Sequence, residues 1–378
     1  MSEFQYYEFY SIDKELTKRE RNEVDKLSSR FSPTSRSVVY TYSYSDFKHD
    51  EKKVLLKYFD FFMYWSNWGI KRIMYKIPEE LVNFQDILQY NCSVDGEYTD
   101  TGIQVYKKAK FVIIDIKFSD EEGGYWIEED NRWSSDLMGI RQDLLNGDYR
   151  SLFIMWLHAK KMEFELEEID ETLEISRQLI PPNLKSLNSN LNCLIDFFEV
   201  DIDWVCGASK YSENSSAKGK NYLEIVEKLT LEKKDEYIMR LLKGESNLNL
   251  KLKKEIDNSI EISTKSSVDK ITLKQLLTSI KEQEGKRIRL KNEKLEKKRL
   301  QKIKEIEKNR NTILKEIDYH ILKGTGKSYD EAIHRILDLR ELAIHQKKEN
   351  EFMKWIAELK KELSPKRVML KRIEKEGM

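Results

Sequence analysis

An acid two positions before a lysine, Asp115-Ile-Lys117, lies in the apolar run Phe111-Val-Ile-Ile-Asp-Ile-Lys-Phe118. If that run is a strand, residues i and i+2 share one face, so the carboxylate and the ammonium point the same way. With Asp95 or Asp100 as an upstream acid, two carboxylates could hold Mg²⁺ while the lysine positions an attacking water. The same alternation also describes a salt-bridged wet face of a hairpin, and Asp-x-Lys is a common tripeptide. The leading expectation therefore assigns no catalytic residue, no cofactor and no metal, with Asp100, Asp115 and Lys117 as the alternative catalytic set.

A second chemistry is electrostatic. Residues 281–310 hold 13 Lys and Arg against six acids, with Lys286, Arg287, Arg289, Lys291, Lys294, Lys297, Lys298 and Arg299 at its centre. Such a helix attracts phosphate backbones by releasing their counterions. The interspersed Glu282, Glu284, Glu293, Glu296, Glu305 and Glu307 suit an ordinary solvated helix with i,i+4 pairs equally well, and the segment has no aromatic residue to stack on bases. Ile303, Ile306, Ile313 and Ile317 recur at steps of three, seven and four, a thin coiled-coil stripe. That seam is the expected partner-binding surface, with a homo-oligomer through a coiled coil as one form of it.

Other motifs carry less. Gly324-Thr-Gly-Lys-Ser328 resembles the end of a phosphate loop, but the first required glycine position is Ile321 and the preceding segment reads as helix, not strand. The acids of 120–122 and 128–130 have no regular ligand spacing. His49, His158, His320, His334 and His345 form no zinc pattern with Cys92, Cys193 and Cys206. His158, among apolar neighbours, reads as a packed helix residue.

The elements that must position these groups follow from pattern. Strand-like runs fall near 4–10, 37–44, 70–77, 102–107 and 111–118, and helical runs near 17–30, 50–65 and 79–90. The order predicts an α+β (or α/β) domain over 1–122 with a mixed sheet, and a helical extension over 123–206 packed on it. The small polar run 207–220 predicts a linker. Residues 221–378 then read as all-helical, with a long charged helix about 269–322 and a hairpin about 328–363 opened by a capping box at Ser328-Tyr-Asp-Glu331.

Composition agrees with this division. The 378 residues balance 67 basic against 67 acidic side chains, yet 1–250 carry 33 basic and 45 acidic, and 251–378 carry 34 and 22. Of 41 aromatic residues, 34 lie at or before position 210, where a core is expected. The most apolar stretch, 59–70, is short and contains Asp60, so no membrane span is expected. The N-terminus has no secretory pattern and the three cysteines are widely spaced, which predicts a cytoplasmic protein.

Phe4-Gln-Tyr-Tyr-Glu-Phe, Leu27-Ser-Ser-Arg30, Lys57-Tyr-Phe-Asp60, Ser66-Asn-Trp-Gly69, Leu144-Leu-Asn-Gly-Asp148 and Pro181-Pro-Asn-Leu184 resemble blocks of an uncharacterised bacterial cytosolic protein family, over about 1–205. The tail, Tyr329-Asp-Glu-Ala-Ile with Leu337-Asp-Leu-Arg-Glu-Leu-Ala343, resembles the helical ends of bacterial SWIM zinc-finger proteins. Their Cys/His motif is missing here, so a zinc role does not follow. The Asp115 and Lys117 pattern resembles the site of metal-dependent nucleases of the PD-(D/E)xK type, without the Pro-Asp. The leading functional expectation is a non-enzymatic interaction or adaptor protein that holds a partner through its C-terminal helices. The alternatives are nucleic-acid binding by 281–310 and a Mg-dependent nuclease at Asp115 and Lys117.

Overall fold

A computed structural model describes residues 3–29, 31–94, 101–119, 133–165, 172–214, 226–227, 229–245, 247–259 and 270–378. The chain forms two compact units, Met1–Glu284 and Gly285–Met378.

In the first unit, β1 (Gln5–Tyr10), β2 (Phe31–Pro33), β3 (Ser37–Tyr42), β4 (Phe61–Ser66), β5 (Ile70–Pro78), β6 (Cys92–Ser93), β7 (Gly102–Lys108) and β8 (Phe111–Ser119) form one sheet. Its order is β2-β3-β1-β4-β5-β8-β7-β6. The α+β class holds, but every pairing is antiparallel, so the sheet is not mixed in its hydrogen bonding. The reason lies in one crossover. β3 and β4 run the same way, which α2 (Glu51–Tyr58) between them permits, but β1 sits between them and is antiparallel to both.

Both sheet faces are buried. On one, Tyr7 and Phe9 of β1 pack with Val38, Tyr40, Phe62 and Met74 beneath Val54, Leu55 and Tyr58 of α2. A short helix α1 (Lys18–Val24) adds Val24, and Thr17 opens it with a capping box to Glu20. On the opposite face, Phe61, Met63, Ile73, Tyr75, Ile114 and Ile116 meet later helices. After α3 (Phe84–Leu88), these are α4 (Ser134–Leu145), α5 (Arg150–Glu165), α6 (Ser189–Phe198) and α7 (Ile202–Ala208). Each fully buried large side chain contributes roughly 1.5–3 kcal/mol, so two covered faces make a substantial core. Asp60, the charge inside the apolar stretch, accepts from the Ile12 and Asp13 amides at 2.9 and 3.1 Å and pairs with Lys76 at 3.2 Å.

Two further helices, α8 (Leu231–Leu242) and α9 (Leu248–Ser259), precede β10 (Lys270–Thr272), which pairs with β9 (Glu174–Ser176). The long helix α10 (Leu273–Lys308) then begins inside the first unit's core through Leu273, Leu276, Leu277 and Ile280. Gly207 shows how close that approach is. A Cβ there would stand 2.6 Å from Ile280 Cγ1 and 2.9 Å from its backbone, so only glycine fits. The boundary between the units thus falls within α10. Of the run 207–220, residues 207–211 carry the end of α7 and a 3₁₀ turn, and 215–220 lie outside the described residues.

The second unit continues α10 into α11 (Arg310–Lys323), α12 (Gly326–His345), α13 (Glu349–Glu362) and α14 (Arg367–Lys375). The helix predicted over 269–322 is therefore interrupted at Asn309. Thr325 caps α12 by accepting from the Ser328 amide, three residues before the Ser328 cap that the sequence pattern predicts. Gly324, at φ 71°, ends α11 in the left-handed region, where glycine costs least. The Gly-Thr-Gly-Lys-Ser run is a helix–helix corner, without the preceding strand a phosphate loop needs.

Candidate functional site

Asp115 and Lys117 do share a face, the α2 face of the sheet, on the interior strand β8 between β5 and β7. Asp115 lies opposite Met74 and Gln104, and Lys117 opposite Arg72 and Gly102. With Asp50, Glu51 and Lys52 at the start of α2, they line a polar cavity of about 230 Å³. The sequence pattern located this place but not its chemistry. Arg72 donates from Nε to Asp115 Oδ1 and from Nη2 to Oδ2, both at 2.7 Å, and Lys52 Nζ reaches Oδ2 at 3.0 Å. Glu51 stands 3.6 Å from Arg72 Nη1. The Asp115 side chain is 4% exposed. Burial alone would raise its carboxyl, but the Arg72 hydrogen bonds and charge, aided by Lys52, outweigh that and hold it below the ordinary value.

Both oxygens of Asp115 are thus committed to cations. A Mg²⁺ ion would have to displace a bidentate guanidinium. Among the described residues no group of three His, Cys, Asp or Glu is placed to hold a metal. Asp95 and Asp100 lie outside the described residues. The cavity is an ion cluster that fastens the crossover helix α2 to the sheet.

A wider cleft of about 600 Å³ opens beside Asp60 and Lys76. Its charges are largely matched within the chain. Asp13 takes both Nη atoms of Arg141 at 3.0 and 2.7 Å, and Lys251 pairs with Glu80 at 2.8 Å.

The seam is reassigned by the structure. Ile303, Ile306, Ile313 and Ile317 are all buried in the core of the second unit, with Ile333, Ile336, Ile356 and Met369 among their cluster. The apolar stripe is real, but this chain's own helices cover it, and so it offers no partner a surface. Arg299 pairs with Glu341 at 2.9 Å and Lys302 with Asp338 at 2.8 Å along the same packing.

The basic segment has the opposite fate. Every residue from Lys286 to Arg299 is exposed. Over those positions eight cations face two acids. Lys286, Arg289, Lys291, Lys294, Lys297 and Lys298 make no ion pair among the described residues, whereas Arg299 is held by Glu341 and Glu296. Because α10 is continuous here, its faces can be assigned. Lys286, Lys297, Lys294, Arg287, Lys298 and Lys291 fall within an arc of roughly 140° at 100° per residue. Ile306, buried in the unit's core, lies well outside that arc, as do Glu296 and Arg299, and Glu293 stands at its edge. The phase follows from the sequence once a helix is assumed; the structure adds that Ile303 and Ile306 turn into the core while these cations stay exposed.

Against protein-family models, curated proteins and solved structures, the comparison is empty. The chain matches none of them. Among the described residues no helix is long and apolar enough to cross a membrane.

Proposed function

We propose that this chain is a non-enzymatic, cytoplasmic nucleic-acid-binding protein that docks phosphate backbone on α10 between Lys286 and Lys298. The observation that carries the reading is the one-sided array of exposed cations, five of whose lysines have no ion pair among the described residues. Side chains already tied to carboxylates must give up those partners on binding, whereas these exchange only water and small counterions. The adaptor reading built on Ile303, Ile306, Ile313 and Ile317 loses its support once those residues are core. The nuclease reading loses its own once Asp115 is bound by Arg72 and Lys52.

If five to six phosphates are neutralised, log K against log salt falls with a slope of about −5 on duplex DNA. Fluorescence anisotropy of a labelled duplex, titrated with the full chain at several salt concentrations, measures that slope. Changing Lys286, Lys291, Lys294 and Lys297 to Glu should abolish binding while leaving the circular dichroism and melting temperature unchanged, because these side chains are solvated. Affinity that ignores both salt and this charge reversal would refute the reading.

A further inference from the structure

Resting on that reading, we infer that the nucleic acid recognised is B-form duplex DNA, entered through its major groove. The argument is the cross-section of α10. Across the basic arc the phases follow one another in steps of about 20°, with cations at both margins, so three rows can be drawn along it. Lys286 and Lys297 form one edge, and Arg287, Lys291 and Lys298 form the other. Leu290, Lys294 and Gln301 run between them. All these side chains are exposed, Leu290 at 57%.

A helix resting on a flat row of phosphates needs one line of cations and gains nothing from an aliphatic side chain at its centre. A helix lying in a groove needs two lines, one for each wall, and something compatible with base edges between them. The rows match the second case. A helix with its side chains is about 10–12 Å across, and the B-form major groove is about 12 Å wide. Leu290 then faces the floor, where a thymine methyl is the apolar partner, and Gln301 and Lys294 are of the types that hydrogen-bond adenine and guanine edges. From Lys286 to Lys298 the helix rises about 18 Å, roughly half a turn of duplex.

The same geometry argues against the other nucleic acids. The A-form major groove is deep and too narrow for side chains to read, so duplex RNA would meet only one row. Single strands are held by aromatic platforms, and 281–310 contain no Phe, Tyr or Trp.

The test compares the full chain on a 20-base-pair DNA duplex, the RNA duplex of the same sequence and the single DNA strand, at one salt concentration. DNA duplex should bind at least about ten-fold tighter than either rival, consistent with loss of one cation row. Methyl green, a major-groove ligand, should compete, and netropsin, a minor-groove ligand, should not. Leu290→Ala should weaken duplex binding without altering the salt slope, while Lys291→Ala should lower the slope by about one. RNA duplex or single strand bound within two-fold of DNA, or competition by netropsin alone, would overturn the groove assignment and leave the proposed function standing. Failure to bind any of the three would sink both.

Discussion

Asp115 looks catalytic as a letter in a sequence and structural once its neighbours are in view. Arg72 is 15% exposed and donates twice to it, so removing the carboxylate leaves a guanidinium buried beside Glu51 alone. Asp115→Ala should cost about 3–5 kcal/mol in urea unfolding, and the double variant Asp115→Leu with Arg72→Met should recover much of that. If the single change is silent, the cluster does not fasten α2. Its pH dependence has a definite sign. A carboxyl held below its ordinary value adds stability above that value, which is lost as pH falls through the folded-state titration. His158 titrates higher on the scale. Burial, with Lys161 and Lys71 nearby, pushes its imidazole down from 6.5 to about 4, and its buried Nδ1 finds no hydrogen-bond partner among the described residues. The fold holds this ring neutral, so stability is full above pH 6.5 and falls as the unfolded chain takes up a proton between 6.5 and 4. The loss should reach about 3 kcal/mol, and His158→Leu should flatten unfolding free energy across that window.

At the scale of elements, the isoleucine stripe separates two meanings that the sequence cannot. Steps of three, seven and four state that a helix face will be covered, and by nothing in the pattern do they state by what. In the structure Ile306 and Ile317 lie in the second unit's own core, at 5% and 1% exposure. Ile306→Ala and Ile317→Ala should therefore each destabilise that unit by about 2–5 kcal/mol in thermal melts. Release of a bound protein with no change in melting would restore the partner reading. Other elements were plain from local pattern. The Thr17 box, the α2 cap at Asp50 and the 102–118 hairpin all depend on residues within a few positions of each other. The strand order was not, because β1 enters between β3 and β4 through pairings 27 to 61 residues distant. The Arg72 lock on Asp115 was hidden for the same reason, since 43 residues separate donor from acceptor. Gly285 offers a test of α10 by itself. Nothing lies within 4 Å of where its Cβ would be, so Gly285→Ala should stabilise the helix by roughly 0.5–1 kcal/mol.

For the whole molecule, the zero net charge is the sum of two unequal parts. Residues 1–284 carry 40 basic and 51 acidic side chains, and 285–378 carry 27 and 16. A strongly positive second unit suits a phosphate partner, and a negative first unit does not compete for one. Because β10 and the start of α10 complete the first unit, cutting the chain between its halves should not separate them. A specific protease site placed after Ser216 should give two bands in denaturing gels but one peak by size exclusion, held by the β9–β10 pairing and by Ile280 against Gly207. Two separate peaks would show that residues 1–206 stand alone.

That late completion has a consequence during synthesis. Gly207 and Ile280 meet in one core, yet the ribosome adds about 70 residues between them, roughly 4 to 14 seconds of elongation at ordinary rates. Throughout that interval the surface on α7 that accepts Ile280 has no cover, and the nascent chain offers it to whatever hydrophobic surface passes. The bare glycine that lets α10 dock so closely also makes that patch flat, with no side chain of its own to shield it, until the last helix of the unit emerges.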